Sequence, residues 1–228
     1  MASSYNIAID GPAGAGKSTI ARLAAARLGF VYVDTGAMYR AMGLYFIRRG
    51  IDASDEAGIA GVLDEITISI EYVDGEQQVF LNGENVSGLI RTEEVGRMAS
   101  ASSAYGPVRQ KLLELQRGLA KVSDVIMDGR DIGTCVLPEA DTKIYLTASS
   151  HVRALRRYHE LCEKGHMCNL EEIEQDIIER DYRDMHREIA PLTQAADAVL
   201  VDTSELSIEE AVDAIISIAE EHGLKVNT

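Results

Sequence analysis

Apolar positions along the chain switch between two periods, and the order of the switches predicts the architecture. Tyr5-Asn6-Ile7-Ala8-Ile9-Asp10 reads as a short buried strand. Lys17 to Leu28 then carries Ile20, Leu23, Ala24 and Leu28 at helical spacing. Gly29 is placed as a C-cap, and Phe30 to Val33 as a second strand. After Asp34-Thr35-Gly36 a helix is expected to about Arg49, with Ala37, Tyr39, Met42, Leu44, Phe46 and Ile47 as its apolar surface and Gly50 as its stop. Ser54 is placed to cap a short helix through Leu63. Helices follow at about Thr92 to Ala104 and Pro107 to Val122, the second with proline in its first turn. Val125 to Asp128, Lys143 to Leu146 and Ala198 to Val201 read as strands. Ser149 caps one later helix, and Asn169-x-x-Glu172 and Ser207-x-x-Glu210 have the capping-box spacing for two more. Five short apolar strands alternating with helices predict an α/β fold, a doubly wound parallel five-stranded sheet with helices on both faces.

Residues 66 to 90 break this rhythm. Ile66 to Val73 alternates and is rich in β-branched residues, Asp74-Gly75 is a turn, Gln78 to Leu81 a second strand and Asn82-Gly83 a second turn. The segment predicts a small inserted antiparallel sheet, separate from the parallel one.

Composition narrows the partners. A chain of 228 residues suits one α/β domain with insertions. No apolar run is long enough to span a membrane. Met1 to Tyr5 are neither basic nor followed by a signal-type apolar region, so a cytoplasmic protein is expected, and, as nothing in the sequence demands an oligomer, a monomer. The formal charge of −15 argues against polymeric nucleic acid but not against a small nucleotide, for which local charge decides. Arginine outnumbers lysine 16 to 6, with six arginines between residues 151 and 190. Arginine suits planar, bidentate phosphate recognition, although a solvated mixed-charge helix face would read the same way. Cys135, Cys162 and Cys168 make no secreted disulfide framework. His159, Cys162, His166 and Cys168 crowd together, but at none of the usual zinc spacings, so ordinary packing is the expectation.

The chemistry starts at Gly11-Pro12-Ala13-Gly14-Ala15-Gly16-Lys17-Ser18, which matches G-x-x-x-x-G-K-[ST], followed by Thr19. A strand, a Gly-rich turn and a helix N-terminus aim backbone N–H groups and the positive end of the helix dipole at one spot, where a nucleoside triphosphate is expected. Lys17 would reach its outer phosphates, and Ser18 would hold Mg²⁺. In a doubly wound sheet ligands collect at the carboxyl ends of strands. Asp34-Thr35-Gly36 and Asp128-Gly129-Arg130-Asp131 stand there. Asp128 has the place of a carboxylate that organises Mg²⁺, or of a plain turn-forming Asp-Gly. Arg40 and Arg130 are candidates for a second phosphate.

Four further segments occur with the phosphate loop in a fixed order. They are Asp34-Thr35-Gly36-Ala37-Met38-Tyr39-Arg40, Asp128-Gly129-Arg130-Asp131-Ile132-Gly133-Thr134, Glu179-Arg180-Asp181-x-x-Asp184-x-x-Arg187 and Ala190-Pro191-Leu192. Together they resemble the bacterial cytidylate kinases, of the P-loop nucleoside monophosphate kinase superfamily, over essentially the whole chain, the sheet at 66 to 90 included. The resemblance implies transfer of the ATP γ-phosphate to CMP or dCMP with Mg²⁺. It makes Lys17, Asp128, Arg130 and Arg187 the catalytic set. Residues Gly11 to Thr19 would hold ATP, and Thr35, Gly36, Tyr39 and Arg40 would line the CMP site. Arg40, Arg130 and Arg187 would clamp the acceptor phosphate, Arg180 and Asp184 the pentose, and Ser100, Arg109 and Asp131 the cytosine. Thr35 stands where the family often has serine. A carboxylate at Asp131 suits the cytosine amino donor, and Arg and Ser suit its ring acceptors.

The resemblance also divides the chain. The core would be about 1–35, 105–150 and 192–228, the monophosphate-binding region about 36–104, and a helical lid about 151–190. Arg153, Arg156 and Arg157 share one helix face of that lid, and at least one is expected to reach ATP, Arg157 being the candidate. Phosphoryl transfer needs positioning and charge neutralisation, so no nucleophilic side chain is expected. A related small-molecule kinase, acting on UMP or a non-nucleotide alcohol, remains an alternative. So does an ATP-hydrolysing switch; no Asn-Lys-x-Asp guanine motif supports a GTPase.

Overall fold

The computed structural model describes residues 4–225, so the part of the leader expectation that falls on Met1 to Ser3 lies outside the described residues. In chain order the elements are β1 (Asn6–Asp10), α1 (Lys17–Leu28), β2 (Val31–Asp34), α2 (Thr35–Arg48) and α3 (Glu56–Val62). Then come β3 (Ile68–Val73), β4 (Glu76–Leu81), β5 (Glu84–Asn85), α4 (Glu93–Ser102) and α5 (Gly106–Val122). The last part holds β6 (Val125–Gly129), a π-helical turn (Ile132–Val136), β7 (Thr142–Thr147), α6 (Ser150–Glu163), α7 (Leu170–His186), β8 (Val199–Asp202) and α8 (Ile208–Glu221). Among the described residues no helix is long and apolar enough to cross a membrane.

The main sheet has the order β2-β6-β1-β7-β8 and is parallel throughout, as the strand pattern predicts. Side chains alternate across its two faces. Ile7, Ile9, Ile126 and Ile144 pack beneath α1 and α8 with Ala21, Ala24, Val212 and Ile215. Ala8, Val33, Val125 and Met127 face the opposite cluster with Met38, Met42, Phe46 and Leu112. The register pairs Asp34 with Asp128 and Asp10 with Gly129, so three strands end level and bring three carboxylates to one edge.

The insert is a separate antiparallel sheet in the order β3-β4-β5. Its turns have the geometry their sequences call for, with φ of 53° and 78° at Asp74-Gly75 and 50° and 83° at Asn82-Gly83. Two strands were expected and three are present. Glu84-Asn85 has no β-branched or aromatic residue to signal a strand, and it pairs only because the second turn returns it to β4. Val79 and Leu81 bury into the main cluster. The Gln77 side chain accepts from Asp34 N–H at 2.9 Å and donates to Asp34 C=O at 3.2 Å, imitating a ladder partner at the free edge of β2.

Two caps differ from expectation. Asp55, not Ser54, caps α3, because its carboxylate accepts from Gly58 N–H at 2.9 Å while the Ser54 hydroxyl donates to Asp52. At α7 Asn169 accepts from Glu171 N–H instead of forming a reciprocal box with Glu172; its longer amide arm reaches the second helical N–H. Ser207 and Glu210 do form the full box.

Candidate active site

The phosphate loop is shaped by close approach of its backbone to neighbouring strands. A Cβ at Gly11 would lie 1.9 Å from the Leu146 carbonyl oxygen, so only glycine lets the end of β1 run beneath β7. Gly16 caps α1 at φ 88°, which leaves the first N–H groups of α1 pointing out of the turn. Lys17 is buried and its Nζ donates to Pro12 C=O at 2.7 Å. Burial, reinforced by the nearby Arg130 charge, holds Lys17 below the ordinary lysine range.

Behind the loop the three strand-end carboxylates divide the work. Asp128 accepts from the Ser18 hydroxyl at 3.0 Å and from the Tyr32 hydroxyl at 2.8 Å. Burial and the charge of Asp34 raise it above the usual carboxylate range. Asp34 caps α2 through Ala37 N–H and also takes Arg91 at 3.0 Å. Asp10, pushed up to about 6 by burial, accepts from Ile132 and Gly133 N–H, both at 2.7 Å, and so fixes the π-helical turn next to Asp131.

Facing the loop is a cavity of about 700 Å³. Ten cationic side chains and five carboxylates line it, so the cavity is net positive within a chain of net charge −15. Its far wall is an arginine–aspartate lattice drawn from five places in the chain. Asp131 pairs with Arg109 of α5 and, at 3.5 Å, with Arg187. The Arg109 guanidinium lies over the Tyr39 ring at 5.6 Å. Arg130 donates to Asp184 of α7 at 3.0 Å. Arg187 Nε donates to Ala190 C=O at 2.6 Å, where Ala190 takes φ 49°, and Leu192 N–H donates to Asp184 C=O.

Arg180 is the member of this lattice left in deficit. Its Nε–H is buried with no hydrogen-bond partner among the described residues. Burial, then the charge of Arg130, lowers its pKa to about 10. Burial lowers Arg40 and Arg187 too, with Arg91 and Arg109 respectively as the nearby cations. Cations crowded in a half-dry cavity at this cost are the signature of a site for a polyanion.

The cytidylate kinase family model matches residues 7–221. The chain belongs to the cytidylate kinase family. It is 51% identical over 212 residues to the cytidylate kinase of Lactobacillus gasseri, covering 93% of this chain and 92% of the relative. The cytidylate kinase of Desulfitobacterium hafniense is 50% identical over 218 residues, covering 96% and 94%. A solved structure of an uncharacterised protein from Eubacterium ventriosum shares the fold at TM-score 0.53 and 11% identity, covering 95% and 99%. Membership makes the chain an enzyme, a nucleoside monophosphate kinase.

This kinase brings most of the residues singled out by sequence to the cavity wall. Ala13, Gly14, Gly16, Lys17, Ser18 and Thr19 line one side. Thr35, Gly36, Tyr39, Arg40, Ser100, Arg109, Asp128, Arg130, Asp131, Arg180, Asp184 and Arg187 line the rest. Gly11, Pro12 and Ala15 do not line it; they shape the loop from behind, with Ala15 fully buried. Thr35 turns its hydroxyl inward, donating to Asp128 C=O at 2.7 Å.

The three arginines of α6 separate. Arg153 is buried and spent on structure, bonding Ala13 C=O at 3.0 Å, Ala148 C=O at 2.9 Å and Asp181 at 2.6 Å. Arg156 donates to Thr203 C=O at 2.7 Å, and Arg157 pairs with Glu160 and Glu93; all three border the cavity. Sequence reasoning missed Arg91, Thr203, Leu206 and Ile208 at the wall. Thr203 directly follows β8, so the strand-end rule could have found it. Arg91 carries no local signal, being one residue ahead of a helix cap.

Proposed function

We propose that this chain phosphorylates CMP, and dCMP, at the expense of ATP, with the phosphate loop as donor site and the arginine–aspartate lattice as acceptor site. The observation that carries the reading is the sharing of one cavity by Lys17 and the Arg109–Asp131–Arg187 set. A hydrolase of ATP alone has no use for the second half.

In this reading the loop amides and Lys17 hold the β- and γ-phosphates, and Arg156 or Arg157 reaches them from the lid. Arg40, Arg130, Arg180 and Arg187 hold the acceptor phosphate and neutralise charge on the group in flight. That electrostatic service is most of what phosphoryl transfer requires. Asp184, fixed by Arg130, faces the pentose. Asp131 accepts the cytosine amino proton, while Arg109 and Ser100 serve the ring acceptors. UMP would set a carbonyl oxygen against Asp131, at a cost of about 1–3 kcal/mol or more.

The donor wall also fits Mg²⁺. The Ser18 hydroxyl and Asp128 carboxylate are hard oxygen donors 3.0 Å apart, and the strained proximity of Asp128 to Asp34 favours a cation there. Held by Ser18 and Asp128, the cation would supply charge neutralisation to the transferring phosphate. The reading takes the monomer as the working unit, placed with its nucleotide substrates in the cytoplasm. Coupled ADP-release assays over a panel of monophosphates test the reading. CMP and dCMP should exceed UMP in kcat/KM by about tenfold or more. A higher value for UMP, or ADP release indifferent to CMP, overturns it.

A further inference from the structure

The sequence cluster His159, Cys162, His166 and Cys168 has no part in the reaction, and the structure sorts it sharply. Among the described residues no group of three or more His, Cys, Asp or Glu side chains is arranged for a metal ion. The two sulfurs, however, converge to 3.7 Å. Cys162 sits in the last turn of α6 and is exposed; Cys168 stands just ahead of the Asn169 cap of α7 and is half-buried. Between them the chain reverses at Gly165, with φ 76°, and is tied down by bonds from Gly165 N–H to Cys162 C=O and from His166 N–H to Leu161 C=O. This turn sends the chain back along α6, so that the Cys168 sulfur also reaches Tyr158 C=O at 3.9 Å.

We propose that Cys162 and Cys168 are a peroxide-responsive modification site on the lid, closing to an intramolecular disulfide. A disulfide needs a sulfur separation of about 2 Å, which leaves an approach of about 1.7 Å for side-chain rotation across a turn that already holds the pair together. The two sulfurs differ in access, which assigns their roles. Exposed Cys162, as its thiolate, attacks one oxygen of a hydroperoxide; the O–O bond breaks, Cys162 becomes a sulfenic acid, and the other oxygen leaves as water or alcohol. The Cys168 sulfur then attacks the Cys162 sulfur; the S–O bond breaks, and the hydroxide leaves as water with the Cys168 proton. Two thiols give up two electrons and the peroxide takes them. Partial burial and the neighbouring Cys162 lift the Cys168 thiol, which leaves exposed Cys162 as the first to meet peroxide. Cys135 lies elsewhere, after β6, and has no sulfur partner among the described residues. The bridge would pin the return segment 166–168 onto α6, the helix that carries the lid arginines.

The test uses the full chain and dilute hydrogen peroxide. Intact mass should fall by two hydrogens, one thiol per chain should remain titratable, and peptide mapping should join Cys162 to Cys168, all reversed by dithiothreitol. Met167, whose side chain is fully exposed, will gain an oxygen independently and is separable by the same mapping. Exposed Lys164 lies inside the loop, so trypsin cleavage after it should slow by about tenfold once the bridge forms. Cys135→Ser should behave as wild type. Cys168→Ser should stall as a dimedone-reactive sulfenic acid at Cys162, and Cys162→Ser should give neither bridge nor adduct at Cys168. A bridge through Cys135, bridging between chains in place of the internal bond, or oxidation without any Cys162–Cys168 linkage overturns the proposal.

Discussion

The wall proposed for the donor is shaped by one contiguous stretch, Gly11 to Thr19, in which backbone geometry and the first turn of α1 do the positioning. The wall proposed for the acceptor takes single side chains from α2, α4, α5, the segment after β6, and α7 with the residues following it, and ion pairs link its members Arg109, Asp131 and Arg187, and Arg130 and Asp184. A backbone site depends on side chains only as far as the turn needs them. A lattice of paired charges loses two groups when one is removed, because the partner is left buried and unpaired. The proposed reading therefore gives specificity to the acceptor wall and raw phosphate affinity to the donor wall.

Four substitutions press on this contrast. The largest effect is expected for Lys17→Ala, which should lower kcat by about 10³-fold or more while the melting temperature stays close to wild type. Turnover within tenfold of wild type would remove Lys17 from the donor site. Asp131→Ala should lower kcat/KM for CMP by about 10²–10³-fold, with the KM for ATP changed by about twofold at most. Equal losses toward both substrates would erase the distinction between the walls.

Asp10 joins the two halves, since it precedes Gly11 and anchors the turn beside Asp131. Its pKa is raised by burial from 3.8 to about 6, so the folded state holds the proton more tightly than the unfolded state. The stabilisation from the protonated form is complete below about pH 4 and gone above about pH 6. Urea titrations from pH 4 to 6.5 should therefore show the stability of wild type minus Asp10→Asn falling with pH by up to about 3 kcal/mol. A flat difference would mean that burial does not govern this carboxylate. The smallest effect is expected for Gln77→Ala, which frees the inserted sheet from the edge of β2. KM for CMP should rise by about two- to fivefold with kcat and the KM for ATP unchanged. A larger rise in the KM for ATP would place the insert on the donor side.

Much of this was legible in the chain. The five strands, the phosphate loop, the hairpin turns at Asp74-Gly75 and Asn82-Gly83 and the Ser207–Glu210 box are local features, set by period, by positive φ or by bonds spanning a few residues. What stayed hidden is long-range or weakly encoded. Glu84-Asn85 becomes a strand only because β4 offers a partner. Arg91 reaches the cavity because Asp34, 57 residues earlier, fixes it there. Arg153, which by spacing alone was equivalent to Arg156 and Arg157, turns to Ala13 and Asp181 because it falls on the buried side of α6.

By itself the sequence determined the parallel sheet, the glycine-rich turn between β1 and α1 and, through its ordered segments, the family. Each is written in residues close along the chain, where backbone geometry and hydrophobic period act without help from distant partners. Only the tertiary structure decided which arginines are free to meet a phosphate and which are consumed in holding the protein together. It also decided that the two cysteines flanking the turn between α6 and α7 meet. The fate of the arginines depends on pairings across tens to more than a hundred residues, and charges choose their partners by distance in space, which the order of residues does not state.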